Sequence, residues 1–158
     1  MTESYLNILK DSLEKKLDVL RKIQEVSCAQ KELLKAEVLD IEGFDRTVDE
    51  KDSYIKELTI LDEGFDTLYE KIRQELMENR QKYAAEIKQL QQLISEITDK
   101  STAIQAQESR NKAMLETYFK KERQSIGSVR RSSKAAYGYY QSMSGKHVEQ
   151  PHFMDQKK

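Results

Sequence analysis

The sequence predicts an all-α protein, an elongated up-and-down bundle of three long antiparallel helices with left-handed, coiled-coil-like packing. Three stretches of the chain carry apolar residues at alternating spacings of three and four, which places them on one side of a helix. The 158 residues include one proline and five glycines, too few for a multi-stranded fold that needs frequent turns. Charged residues make up 35% of the chain, which favours helices that each bury one stripe.

The first apolar stripe predicts a helix over residues 4–36. Its clearest positions are Leu6, Leu9, Leu13, Leu17, Leu20 and Ile23. Asp40 then precedes a second periodic run, and an aspartate at that position can accept hydrogen bonds from the free backbone N–H groups of a helix N-terminus. The second helix is therefore predicted over residues 41–78.

The second stripe follows a heptad pattern in which nine of twelve a and d positions are apolar. The a positions are Ile41, Val48, Ile55, Asp62, Tyr69 and Leu76, and the d positions are Phe44, Lys51, Leu58, Phe65, Ile72 and Asn79. A Glu-Gly-Phe-Asp segment occurs twice, 21 residues apart, and we interpret its two phenylalanines as ordinary core residues. Gly64 in the second copy predicts a bend or a close helix approach.

The third stripe predicts a helix over residues 82–124, with positions Tyr83, Ile87, Leu90, Ile94, Ile97, Ser101, Ile104, Glu108, Asn111, Leu115 and Tyr118. We expect its second half to pack loosely, because its polar positions bury little apolar area. The stripe changes phase near Asn79, which fits either a turn or a stutter in one continuous helix. We favour the turn, because a continuous helix over 41–124 would be roughly 125 Å long and could not fold back on itself.

The composition changes after Phe119, and we divide the chain into a helical bundle at 1–125 and a basic, tyrosine-rich C-terminal tail at 126–158. The tail has six lysines or arginines and two acids, so its net charge is +4. We expect it to be flexible or to form a short helix with Ala136, Tyr140 and Met143 on one face. Its candidate partner-binding residues are Tyr137, Tyr139, Tyr140, Met143, Phe153 and Met154. A helix packed on the chain's own bundle is the alternative.

No pattern in the sequence indicates an enzyme, a cofactor or a metal site. His147 and His152 lie in the tail, where nothing holds them in the geometry that acid–base or metal chemistry requires. The net charge of -1 gives no broad positive field for nucleic acid. No apolar run approaches the roughly 18 residues of a membrane span, and Cys28 has no partner for a disulfide. We therefore expect a cytoplasmic protein that binds other proteins without membrane insertion.

The layout and several stretches resemble the FlgN family of bacterial flagellar export chaperones. The resemblance covers residues 3–124 and two stretches of the tail, Tyr139-Tyr-Gln-Ser-Met and Phe153-Met-Asp-Gln-Lys-Lys, which are similar to relatives in flagellated Gram-positive bacteria. Its main stretches are Asp40-Ile-Glu-Gly-Phe-Asp-Arg-Thr-Val-Asp-Glu-Lys, Leu61-Asp-Glu-Gly-Phe-Asp-Thr-Leu-Tyr, Ile94-Ser-Glu-Ile-Thr and Ile104-Gln-Ala-Gln-Glu-Ser-Arg-Asn-Lys. None of these stretches is a catalytic signature.

The resemblance implies a chaperone that keeps hook–filament junction (hook-associated) proteins unassembled in the cytosol and delivers them to the type III export gate. It also implies an elongated helical bundle that binds its substrate mainly through the C-terminal part, as a monomer or weak homodimer. Two alternatives stay open: a FliT-type chaperone of the filament cap, and a structural coiled-coil protein whose stripes form a homo-oligomer. The tail differs in length and composition from that of proteobacterial members, so no residue role is transferred.

Overall fold

The structure is a computed structural model that describes residues 2–123 of the chain. The described residues form three helices and no strand: α1 (Thr2–Lys35), α2 (Ile41–Glu78) and α3 (Ala84–Glu122). The predicted all-α three-helix fold is therefore confirmed, with helix ends within two residues of the predicted ones. At 38 residues and about 1.5 Å per residue, α2 alone is about 57 Å long, which makes the bundle elongated.

The helices run up, down and up, with α1 packed along both α2 and α3. Thr2 at the start of α1 donates a hydrogen bond to Glu75 near the end of α2, whereas Gln30 near the end of α1 contacts Thr47 near the start of α2. These two contacts make α1 and α2 antiparallel. Lys100 of α3 bonds to Gln24 of α1 at 3.0 Å, and later residues of α3 contact later residues of α1, so α1 and α3 are parallel.

A turn at residues 79–83 separates α2 from α3, so the interpretation as one continuous helix is wrong. The Asn79 side chain and backbone N–H both donate to the Glu75 carbonyl, at 2.9 and 3.0 Å, and cap the end of α2. Tyr83 then donates its hydroxyl to the Glu75 carboxylate at 2.9 Å. Hydrogen bonds from Thr2 and Tyr83 lower the pKa of Glu75. Side-chain hydrogen bonds therefore end the helix here without a glycine or proline.

Asp40 caps the N-terminus of α2, as the sequence predicts. Its carboxylate accepts a hydrogen bond from the Gly43 N–H at 3.0 Å, while its backbone is extended. A Cβ atom on Gly43 would lie 2.5 Å from that carboxylate. The glycine therefore leaves room for the cap.

The apolar stripes of the three helices form one core that extends from Leu6 to Phe119. Phe44 and Phe65 are both 3% exposed, which confirms their interpretation as core residues. The close helix approach that was one of the two expectations at Gly64 is absent, because a Cβ atom at this position would meet no atom within 4 Å. No helix packs closely against this glycine within residues 2–123.

We expect Gly64→Ala to raise the free energy of unfolding by up to about 1 kcal/mol, because alanine is favoured over glycine in a helix and the site is open. Urea denaturation followed by circular dichroism measures the change. Gly43→Ala is the matched control and should lower stability, because its methyl group would displace the Asp40 cap. A less stable Gly64→Ala variant would contradict the prediction.

Candidate functional site

All six partner-binding candidates from the sequence lie outside the described residues: Tyr137, Tyr139, Tyr140, Met143, Phe153 and Met154. The predicted domain boundary at 125/126 also lies just beyond the last described residue, Arg123. Two features of the described chain bear on function. One is a buried polar cluster between the helices, and the other is an open cleft at the end of the bundle where α3 ends.

The buried polar cluster, which we call the polar layer, interrupts the apolar core at one level and draws on all three helices. All of its side chains are buried, and they are Ser27 and Gln30 of α1, Thr47 and Lys51 of α2, and Glu108 and Asn111 of α3. Buried polar groups destabilise a fold unless they find hydrogen-bond partners. Most of the polar groups in this layer have hydrogen-bond partners.

An ion pair between Lys51 and Glu108 lies at the centre of the polar layer. The Lys51 Nζ atom, which is fully buried, donates to the Glu108 carboxylate and to the Gln30 side-chain oxygen. Ser27 donates its hydroxyl to the same Glu108 oxygen. Burial lowers the pKa of Lys51 from its ordinary 10.5 to about 8, although the charge and hydrogen bond of Glu108 oppose this shift. Lys51 is thus mainly charged at neutral pH.

Further hydrogen bonds extend the polar layer to the backbone of two helices. The Gln30 amide donates to the Thr47 hydroxyl at 3.0 Å, and that hydroxyl donates to the Phe44 carbonyl. The Asn111 amide donates to the Ser27 carbonyl at 3.0 Å. Each helix is therefore tied to the other two at one level, and sliding any helix along its axis would break these bonds. The polar layer sets the register of the bundle.

The packing of α3 differs from the sequence expectation. Ser101, Glu108 and Asn111 are all buried, although loose packing was expected at these polar positions. Glu108 and Asn111 are hydrogen-bonded across the bundle, so loose packing is wrong at these two positions. The buried Ser101 hydroxyl has no hydrogen-bond partner within residues 2–123. The sequence did contain a signal: Lys51 and Asn111 lie equally far from residue 81, the centre of the turn, so an antiparallel hairpin brings them to one level.

A second ion pair joins α1 and α2 nearer the middle of the bundle. Lys16 is almost fully buried and donates to Asp62 at 2.7 Å. Asp62 belongs to an acidic patch on α2 that also contains the exposed Glu63, Asp66 and Glu70, a spacing that by itself indicates a solvated face. Burial, followed by the negative charge of Asp62, raises the pKa of Asp66. This patch is therefore partly a packing surface for α1.

An open cleft of about 590 Å³, which we call the distal cleft, lies between the C-terminal ends of α1 and α3. Its walls are formed by Leu34, Ala36, Ala113, Met114, Thr117 and Tyr118, and its charged rim by Lys35, Glu37, Lys121 and Glu122. Leu34, Met114 and Tyr118 are half-buried, and the small side chains are exposed. The cleft is an accessible surface of mixed polarity beside the last turn of α3.

The described part of the chain, residues 2–123, contains no group of three or more metal-ligating side chains placed to hold an ion. None of its three helices combines the length and the hydropathy that a bilayer span needs.

Comparison with known families identifies the class of protein. The family model described as FlgN protein matches residues 1–145, which covers all three helices and part of the tail. The chain belongs to the FlgN family. No curated protein and no solved structure matches it.

FlgN proteins are flagellar export chaperones of the cytosol, a family of binding proteins and not of enzymes. The FlgN match ends at residue 145. It therefore includes Tyr137, Tyr139, Tyr140 and Met143 and excludes Phe153 and Met154. Within residues 2–123, the polar layer links the three helices of the FlgN bundle by hydrogen bonds, and the distal cleft is an accessible hollow on its surface.

Proposed function

We propose that this FlgN-family chain is a cytoplasmic export chaperone that binds hook–filament junction (hook-associated) proteins, keeps them unassembled and delivers them to the flagellar type III export gate. The observation that carries the proposal is the family match over residues 1–145. Binding requires no catalytic group, and the proposal includes no enzymatic step and no cofactor. The active species is a monomer or a weak homodimer.

The proposed mechanism is shielding of a partner surface by the tail at 126–158, with the bundle at 1–125 as its support. Tyr137, Tyr139, Tyr140 and Met143 are the main proposed contacts, with Phe153 and Met154 beyond the family match. Large aromatic and thioether side chains supply much contact area for little loss of side-chain entropy. A tail that orders on the partner can cover the surface that otherwise polymerises. Shielding of this kind is reversible at the export gate.

The packing of the bundle bears on the alternative of a structural coiled coil. The apolar stripes of α1, α2 and α3 are buried against one another within one chain. A coiled-coil protein that builds a homo-oligomer needs such a stripe on its outside. This observation favours a chaperone whose bundle is complete in a single copy.

Binding of the full chain to purified flagellar proteins tests the proposal. We expect a complex with a hook–filament junction protein by size-exclusion chromatography with light scattering, with much weaker binding to filament-cap protein and filament subunit. Isothermal titration calorimetry gives the three dissociation constants. A preference for the cap protein would replace the proposal with a FliT-type function, and no binding to any of the three would overturn it.

A further inference from the structure

The distal cleft lies at the end of the bundle where α3 ends. Lys121 and Glu122, in the last turn of α3, form part of its rim. The chain then continues past Arg123 for 35 residues. The last described residues of α3 therefore lie at the edge of the cleft, which is the point from which the tail must begin.

The connection between α3 and the segment 135–143 is long enough to let that segment reach any part of the cleft. Residues 124–134 could span up to roughly 36 Å when extended, whereas the wall from Ala113 to Glu122 is only about 14 Å long. A short connection of this kind gives the tail an effective concentration near the millimolar range, so a site with a dissociation constant below about 1 mM is mostly filled. The tail can fold back along the whole cleft without strain.

The segment 135–143 has the pattern that such a cleft accepts. Ala136, Tyr140 and Met143 are spaced at i, i+4 and i+7 in the sequence. If these nine residues were helical, the three side chains would share one face of a helix of two to three turns, about 14 Å long. The half-buried Met114 and Tyr118 offer it an aromatic and a thioether surface. The FlgN match also ends two residues after Met143, so the segment belongs to the matched region.

We infer that residues 135–143 of the tail occupy the distal cleft of their own chain, with Tyr140 and Met143 against the wall formed by Met114 and Tyr118. The segment then has two alternative sites, its own cleft and the partner protein. A partner must displace the segment from the cleft, which lowers the apparent affinity by the fraction of chains in which the segment is released. The effect on partner binding rests on the proposed function, whereas occupation of the cleft does not.

Disulfide trapping in the full chain tests occupation of the cleft. Cys28→Ser removes the single native thiol, and Thr117→Cys with Gln141→Cys places one thiol on the cleft wall and one beside the two tail anchors. Thr117 is exposed and donates to the Ala113 carbonyl of its own helix, so its replacement leaves the core intact. The matched control is Glu116→Cys with Gln141→Cys, since Glu116 is also exposed, is one residue away and does not line the cleft.

We expect the intramolecular disulfide to form about tenfold faster or more with Thr117→Cys than with Glu116→Cys under mild oxidation, because tether length is nearly equal in the two variants and only the cleft differs. Non-reducing gels and mass spectrometry measure the two rates. Equal rates would overturn the inference. Predominantly intermolecular disulfides would also overturn it, because they would place the tail of a second copy in the cleft.

Thr117→Arg links occupation of the cleft to partner binding. The arginine should obstruct the cleft, release the segment and tighten binding of a hook–filament junction protein by about threefold or more. Weaker binding would overturn the inference, since it would place the partner itself in the cleft. If trapping succeeds while no hook–filament junction protein binds, the cleft assignment stands and the proposed function fails. If trapping fails while a hook–filament junction protein binds, the proposed function stands and the cleft assignment fails.

Discussion

Glu108→Leu is expected to lower the free energy of unfolding by about 3–5 kcal/mol, because it leaves the Lys51 cation buried without its carboxylate partner. Lys51 lies on α2 with no exposed surface and donates to two oxygens in the polar layer, one of which belongs to Glu108. Removing that oxygen also takes away the acceptor of the Ser27 hydroxyl. Chemical denaturation followed by circular dichroism at pH 7 measures the loss.

Two comparison variants separate the buried charge from other effects. Lys51→Met combined with Glu108→Leu should recover most of the loss or exceed the original stability, because two charges no longer need to be desolvated and Glu108 Oε2 has no hydrogen-bond partner within residues 2–123. Asp52→Ala removes the acid of the exposed Lys56–Asp52 pair and should change stability by less than about 1 kcal/mol. A Glu108→Leu variant as stable as the original chain would contradict the assignment of a buried ion pair.

The loss caused by Glu108→Leu should become smaller at pH 9. The pKa of Lys51 is about 8 in the folded protein and lies below its ordinary value of 10.5, so the unfolded chain binds more protons between these two values. Stability that depends on Lys51 therefore rises with pH across that window. At pH 9 Lys51 is largely neutral in the folded state, and removal of its partner then leaves little charge uncompensated.

The sequence predicted the helices and their order because periodicity reports directly which side of each helix is apolar. The turn at 79–83 was found from a shift in phase, although the segment has no glycine or proline. The physical reason became visible only in the structure, where Asn79 and Tyr83 both bond to Glu75. A helix end that depends on side-chain hydrogen bonds is harder to recognise in a sequence than one that is marked by a glycine.

Hydrophobic periodicity within single helices could not predict the polar layer or the distal cleft. A polar residue in an apolar stripe, such as Glu108, can mark either a loosely packed, exposed turn of the helix or a buried ion pair, and the pattern does not distinguish the two. Its partner Lys51 is 57 residues away on another helix, and periodicity within one helix carries no information about that distance. The cleft is lined partly by exposed Ala36 and Ala113, whose small side chains belong to no stripe. Only the parallel packing of α1 and α3 brings them together.

Removal of the tail is expected to weaken binding of a hook–filament junction protein by tenfold or more, about 1.4 kcal/mol, while the bundle keeps its helicity and nearly its full stability. The stability follows from the core, which extends from Leu6 to Phe119 and so ends before a truncation after Gln124. The loss of affinity is expected because the proposed aromatic and methionine contacts lie in the tail. The apolar stripes of the described helices are buried in the core of the bundle and are not available to a partner. Calorimetry and thermal melting of the truncated chain measure the two quantities.

Substitutions within the full chain locate the loss. Tyr140→Ala with Met143→Ala should reproduce most of it, because these two large side chains are spaced to share one face of a helix if the segment becomes helical on the partner. Arg130→Ala with Arg131→Ala is the matched control for the same tail and should chiefly change the dependence of affinity on salt, since exposed charges act mainly on the rate of encounter. Full-strength binding by the truncated chain would place the partner-binding face on the bundle and refute the role proposed for the tail.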